Sequence, residues 1–172
     1  TYDFFRGRLV IPIFDLEGRV VGFGARQIDG DGRGPKYVNS PETELFRKSR
    51  LVYGLDRALS TVRKSGHLVL VEGYTDVIAA HQVGVTQVGA VLGTATTAEH
   101  ASAIRRSGAR RISLVFDGDE AGRRAAYKAL DGLLPLGVEM QIVAMPAGTD
   151  PCDLLIQGGK EAFERALEGG RD

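Results

Sequence analysis

The sequence predicts an α/β fold: a mainly parallel sheet flanked by helices over residues 66–172, preceded by a smaller, basic, mixed α+β subdomain over residues 1–65. Three observations predict it. Beyond Gly66, short continuous apolar runs alternate with stretches of helical spacing, the rhythm of βαβ units. Before Gly66 the apolar runs are broken by turn residues, as in a hairpin. Charge divides near the same place: residues 1–64 hold 12 Lys+Arg against 8 Asp+Glu, and residues 65–172 hold 10 against 14, within a chain of zero formal net charge. Such a division suits a polyanion gripped by one part and a cation held by the other, although a swing of this size also arises by chance.

The elements follow in order. Leu9–Phe14 reads as a strand, Asp15-Leu16-Glu17-Gly18 as a turn, and Arg19–Gly24 as the returning strand, giving a β-hairpin over 9–26. Pro12 places its strand at an edge or makes it a strand end. Asp29 to Pro35 is a glycine-rich loop, and Lys36 to Lys48 is polar and irregular. Leu55, Ala58, Leu59 and Val62 have helical spacing, and Gly66 stops that helix. Leu68–Val71 is a continuous apolar run typical of a strand buried on both faces, Val88–Leu92 is another apolar run, and Ile112–Phe116 and Val138–Ala144 read as the third and fourth strands. Helices are expected over 74–83, from Thr97 to Arg106, from Ala121 to Leu134, and around Phe163, Ala166 and Leu167.

Bulk composition narrows the function classes. The 172 residues fit one domain or two closely packed subdomains, and 43% hydrophobic with 26% charged is a soluble globular balance. One cysteine, Cys152, can form neither an internal disulfide nor a structural zinc site, which suits a reducing cytoplasm. No secretory leader is visible, and His81, Gln82, Gln87, threonines and glycines spoil the uncharged stretch 77–98 as a membrane span. The chain begins in mid-pattern without Met, as a segment of something longer would.

Ligands of such sheets bind at the carboxyl ends of the strands. Two strands here run into acids: Glu72-Gly73-Tyr74-Thr75-Asp76, and Asp117-Gly118-Asp119-Glu120. A third acidic patch, Asp150-Pro151-Cys152-Asp153, follows the fourth strand. Carboxylates gathered at one edge repel one another, and a hard divalent cation with oxygen ligands removes the conflict. Mg²⁺ beside phosphates implies phosphoryl or nucleotidyl transfer. Gly73 and Gly118 would let backbone and ligand approach closely. Each patch alone has a structural reading: an Asp-Gly turn, or a helix cap for Asp119, Glu120 and above all Asp76. Three patches at equivalent strand ends favour the metal.

Glu72-Gly73-Tyr74-Thr75-Asp76-Val77 with Phe116-Asp117-Gly118-Asp119-Glu120-Ala121-Gly122 resembles the Toprim domain, which primases share with topoisomerases and some nucleases. Phe23–Arg26, Pro35-Lys36-Tyr37-Val38-Asn39-Ser40-Pro41-Glu42-Thr43, Leu45–Lys48, Leu51–Leu55 and Leu92-Gly93-Thr94-Ala95 resemble successive motifs of bacterial replicative primases of the DnaG type. The resemblance implies a Toprim-type metal-binding domain over 66–172, and over 1–65 the C-terminal part of the basic N-terminal subdomain of a primase core. It implies template-directed, Mg²⁺-dependent synthesis of short RNA primers, with Mn²⁺ as a substitute. By position it assigns Glu72, Asp117 and Asp119 to catalysis, and these three with Asp150 and Asp153 to the metal. Gly73, Asp76 and Gly118 support them. Arg6, Arg8, Arg26, Lys36, Asn39 and Lys48 bind nucleotide and nucleic acid.

The implied partners are single-stranded DNA, ribonucleoside triphosphates, an RNA–DNA hybrid, and a replicative helicase docked through a C-terminal domain outside this chain. Zinc is expected only in an N-terminal module, also outside it. The fragment is expected to be monomeric, cytoplasmic and weakly active alone. One departure stands out: the family carries Asp-Pro-Asp where this chain has Asp150-Pro151-Cys152. Asp153 then supplies the second carboxylate, or a second metal is held less firmly. Tyr37 and Phe46 are candidates for base stacking or for core packing. Arg33, Arg110 and Arg111 read as solvated charge, and His67, His81 and His100 as structural or surface residues. The rival readings are another Toprim enzyme, a nuclease or topoisomerase fragment, and a non-catalytic nucleotide-binding module.

Overall fold

A computed structural model describes residues 3–28, 34–92 and 96–170. Residues 29–33 of the glycine-rich loop, Arg33 among them, and Gly93-Thr94-Ala95 of the Leu92 motif fall outside the described residues. The chain forms two compact units, Thr1–Arg47 and Lys48–Asp172.

The first unit is built on three antiparallel strands, β1 (Arg8–Phe14), β2 (Val20–Gln27) and β3 (Tyr37–Asn39), in that spatial order. The Asp15 carboxylate closes the β1–β2 turn by accepting from the backbone of Glu17 at 3.0 Å and Arg19 at 2.9 Å. Pro12 lies on β1, an edge strand, where its missing N–H leaves no gap in a central ladder. Ile11, Ile13 and Ala25 are buried, and Phe46 seals the unit against Gly22, where a Cβ would come within 2.8 Å of the ring. The stretch expected to be irregular contributes β3, which pairs Tyr37, Val38 and Asn39 with Arg26, Ala25 and Gly24. Three residues are too few to show a period, and the open edge of β2 supplies the pairing that the sequence pattern does not.

The second unit is a five-stranded sheet, β4 (Val52–Tyr53), β5 (His67–Val71), β6 (Val88–Val91), β7 (Arg111–Phe116) and β8 (Glu139–Ala144), ordered β4-β6-β5-β7-β8. All its pairings are parallel except β4 with β6. Between and after the strands run α1 (Leu55–Ser65), α2 (Tyr74–Gln82), α3 (Ala98–Ser107), α4 (Glu120–Leu133) and α5 (Pro151–Glu168). Leu68 to Val71 and Ile112 to Phe116 are buried, which is why they read as continuous apolar runs.

One expectation changes. The last helix begins at Pro151, well before Phe163, because the Asp150 side chain caps it and the proline ring presets a helical φ at its first position. Gly159 (φ 64°, ψ −162°) breaks the helix and with it the apolar period, so only the later half is visible in the pattern. The seam between the compact units falls at 47/48, because β4 pairs with β6 and α1 packs on β5 and β6. Gly66, at φ 74°, caps α1 through its N–H to Val62 and leads straight into β5.

At the amino ends of the strands lies a polar cluster. His67 Nε2 is 2.8 Å from Ser113 Oγ, Arg111 donates to His67 Nδ1 at 3.1 Å, and Gln141 Nε2 donates to Ser113 Oγ at 2.7 Å and to the Leu167 carbonyl at 3.1 Å. Arg111 as donor makes Nδ1 the acceptor, so Nε2 carries the proton of the neutral ring. Burial, and secondarily the Arg111 charge, pull His67 down to about 4 from 6.5. The unfolded chain therefore takes up this proton below pH 6.5 while the folded chain does not until about pH 4. Stability is fully present above pH 6.5 and is lost as pH falls, by about 1 kcal/mol between roughly pH 7 and 5 once solvent screening of the half-buried ring is allowed for. Urea unfolding at the two ends of that range measures it, and His67→Gln is expected to flatten the difference; an unchanged difference would show that His67 is not its source.

Candidate metal centre

The parallel topology sends β5, β7 and β8 in one direction, so the residues after them share one edge. Glu72 follows β5, Asp117 follows β7, and Asp150 follows the loop after β8. The loops are knit together. Gly118 donates to the Thr149 carbonyl at 3.1 Å, and Thr149 donates to that of Pro146 at 3.0 Å. A Cβ on Gly118 would lie 2.0 Å from the Pro146 oxygen, so only glycine permits this approach. One on Gly122 would lie 2.3 Å from the Asp117 oxygen. These contacts bring the segment carrying Asp117 against the segment leading to Asp150.

Three acids also cap helices. Asp119 Oδ1 accepts from Gly122 N–H at 2.7 Å, Asp150 Oδ1 from Asp153 N–H at 2.7 Å, and Asp76 Oδ2 from Gly73 N–H at 3.0 Å. The helix ends favour the negative charge that the neighbouring acids oppose. One oxygen of each is thereby fixed in direction.

The acids at this edge act on one another's charge. Glu72 is raised above the usual carboxylate range, first by burial, then by the charges of Asp117 and Asp119, against a hydrogen bond from the Asp117 backbone. Its Oε1 is buried and has no hydrogen-bond partner among the described residues. Asp76, only 7% exposed, is pushed up to about 7, first by burial and then by Asp150 and Asp117, with the Gly73 and Cys152 backbones opposing. A raised carboxyl binds its proton in the folded state from the unfolded value of 3.8 up to about 7. Stability is therefore lost through Asp76 as pH rises across that window, opposite in sense to His67. Carboxylate oxygens of Asp76 and Asp150 and the Cys152 Sγ lie within 4.8 Å of one another. A buried, unpartnered carboxylate oxygen among acids that resist sharing their charge fits a hard divalent cation with oxygen ligands.

The expected residues are therefore not equivalent. The charges of Asp117 and Asp119 act on Glu72, and those of Asp150 and Asp117 act on Asp76, but among the described residues the group with ligand atoms within 4.8 Å of one another is Asp76, Asp150 and Cys152, without Glu72, Asp117 or Asp119. Asp153 is exposed, offers its backbone N–H to the Asp150 cap, and lies outside the Asp76–Asp150–Cys152 group. Asp76, expected only to support, is the most deeply buried of these acids. Its place four residues after Glu72, in the first turn of α2, was the available signal.

Of the basic residues, Arg6, Arg8, Arg26 and Lys36 belong to the first unit with Asn39, and Lys48 opens the second. Arg8 donates to the Pro35 carbonyl at 2.9 Å and to that of Lys36 at 3.4 Å, bracing the segment before β3. Arg26 and Lys36 each lie 5.9 Å from the centroid of the Tyr37 ring. Asn39 pairs with Gly24 in the β2–β3 ladder, and Arg6 is exposed. The Lys48 carbonyl accepts from His100 Nε2 at 2.7 Å. Phe46, 1% exposed, is a core residue, whereas Tyr37 is half-buried. No helix among the described residues is long and apolar enough to cross a membrane.

Comparison with known proteins adds what geometry alone does not. Residues 1–59 match the family described as the DNA primase catalytic core, N-terminal domain, and residues 69–155 match the Toprim-like family. The DNA primase of Deinococcus radiodurans is 48% identical over 172 residues, an alignment covering 100% of this chain and 30% of the relative. The Aquifex aeolicus primase, solved as its zinc-binding and RNA polymerase domains, superposes with a TM-score of 0.91 at 39% identity, over 99% of this chain and 42% of that one. A DnaG primase catalytic domain solved bound to single-stranded DNA gives 0.88 at 44% identity, over 98% of this chain and 55% of that one. The chain thus spans about a third of the length of the curated relatives it matches.

Proposed function

This chain belongs to the Toprim-like family, in the bacterial primase branch that joins a Toprim domain to the N-terminal domain of the DNA primase catalytic core, and on that premise we propose that it is the metal-holding part of an enzyme that synthesises RNA primers on single-stranded DNA. The observation that carries the reading is the buried, unpartnered Glu72 Oε1 beside Asp117 and Asp119 at the carboxyl edge of the sheet. That arrangement is costly unless a cation completes it.

The reaction is attack of a 3′-hydroxyl on the α-phosphorus of a ribonucleoside triphosphate, with pyrophosphate leaving. Glu72, Asp117, Asp119 and Asp150 would hold Mg²⁺, with Asp76 beneath them. When bound, the ion would supply charge neutralisation on the phosphates and a lowered pKa for the attacking hydroxyl. Glu72, raised by burial and by its neighbours, suits proton acceptance from that hydroxyl. Gly118 keeps the backbone close enough to fix where Asp117 points. Arg6, Arg8, Arg26, Lys36 and Lys48 neutralise triphosphate and template phosphates, arginine through its fork and lysine as a point charge. Asn39 contributes a hydrogen bond to the nucleotide. Zinc binding and helicase docking belong to parts of the parent protein outside this chain.

The test is incorporation of labelled ribonucleotides by the parent protein on a single-stranded DNA template. Mg²⁺-dependent RNA products are expected. Strand scission without synthesis would replace this reading with a Toprim nuclease.

A further inference from the structure

A second charged surface lies at the edge of the sheet opposite the acids. The last turn of α1 carries Arg63 and Lys64, that of α3 carries Arg105 and Arg106, and neither helix has an acid there. Arg110 and Arg111 precede and open β7, so their backbone amides both donate to the Gly66 carbonyl, at 2.7 and 2.9 Å. The groups interleave: the Arg110 guanidinium sits over Gly66, the cap of α1, and the Arg63 side chain lies beside Gly108, the cap of α3. Helices α1 and α3 pack together, which sets their basic ends side by side.

All six side chains are exposed, and none takes part in an ion pair among the described residues. Glu139, the β8 partner of Arg111 in register, is exposed beside them. Two helix carboxyl ends supply about half a negative charge each, far less than six cations need. Like charges this close repel one another, and a polyanion laid across them removes that repulsion.

We propose that this amino-edge surface is a second contact for nucleic acid, gripping the phosphate backbone of a single strand without reading its bases. Arginine forks match phosphate oxygens, and the cations extend across two helix ends and a strand start rather than enclosing one pocket, which suits a polymer better than a free phosphate. The surface lies wholly within the second unit, at the sheet edge away from the acids. It therefore stands or falls independently of the catalytic reading.

The experiment is fluorescence anisotropy of a labelled oligothymidylate with this chain across a salt series. Arg105 and Arg111, which brace Pro135 and His67, are left in place. The quadruple variant Arg63→Gln, Lys64→Gln, Arg106→Gln, Arg110→Gln is expected to bind about tenfold or more weakly and to lose about 3 from the log–log salt slope. The control variant Lys128→Gln, Lys160→Gln, Arg165→Gln should leave both nearly unchanged. Photo-crosslinking of the unaltered chain to a reactive oligonucleotide should label residues 63–66 and 105–111, whatever the variant's folding. An unchanged slope with no label on those segments overturns the proposal, as does equal loss in the control. So does displacement of the oligonucleotide by millimolar inorganic phosphate, or binding to anionic lipid vesicles in its place.

Discussion

Asp117→Asn is expected to lower template-directed ribonucleotide incorporation by the parent protein about 10²- to 10³-fold or more, and at the same time to raise the melting temperature of the metal-free chain. Both effects come from one charge. Asp117 raises Glu72 and Asp76, so it is the acid that links the two halves of the cluster. Asparagine keeps the shape and one oxygen but removes the repulsion, which stabilises the empty fold. It also removes a ligand charge where phosphates and a cation must be held together, which weakens the transition state. Saturating Mg²⁺ should stabilise the unaltered chain more than the variant and narrow the gap in melting temperature. Thermal unfolding with and without Mg²⁺, beside incorporation assays, checks both limbs. A variant that is inactive and less stable without metal would mean that Asp117 serves the fold rather than the site.

Among the described glycines, Gly118→Ala should be the most damaging single methyl. The added carbon would lie 2.0 Å from the Pro146 carbonyl oxygen and 2.8 Å from its carbon, both backbone atoms that cannot rotate away. The loops after β7 and β8 must separate, which also strains the Gly118–Thr149 hydrogen bond. The expected cost is about 3 kcal/mol of stability, with loss of incorporation because Asp117 and Asp150 move apart. Chemical denaturation measures the first effect. Gly84→Ala is the comparison: φ is 85° there, but the added carbon meets nothing within 4 Å, so its cost is backbone strain alone, about 1 kcal/mol. Equal costs at the two positions would show that the loop contact is not what requires Gly118.

Most of the second unit was legible because its physics is periodic. Strands buried on both faces give unbroken apolar runs, and caps such as Gly66, Thr97 and Asp119 mark where helices start and stop. What escaped was short or depends on distant partners. Strand β4 has two residues and β3 three, so their pairing is decided by open edges of β6 and β2 rather than by their own sequence. The early half of α5 was hidden by Gly159. At the acid edge, strand ends could be read from the sequence and placed Glu72, Asp117 and Asp150 together. Depth cannot be read from the sequence: the expectation gives Asp153 to the metal and Asp76 only a supporting place, yet Asp76 is buried and Asp153 is exposed. The Cys152 thiol lies beside Asp76 and Asp150. The buried acid and the solvated one look alike in sequence until the α2–α5 packing is known.

Whether these carboxylates form one cation-binding cage decides everything said of the site. Diffraction from crystals soaked in Mn²⁺, with anomalous differences collected at the manganese edge, tests it most directly. The expected result is a strong peak ligated by Glu72 together with Asp117, Asp119 or Asp150, lost in Asp117→Asn crystals. Manganese bound elsewhere, or a saturating soak with no peak among these acids, would contradict it.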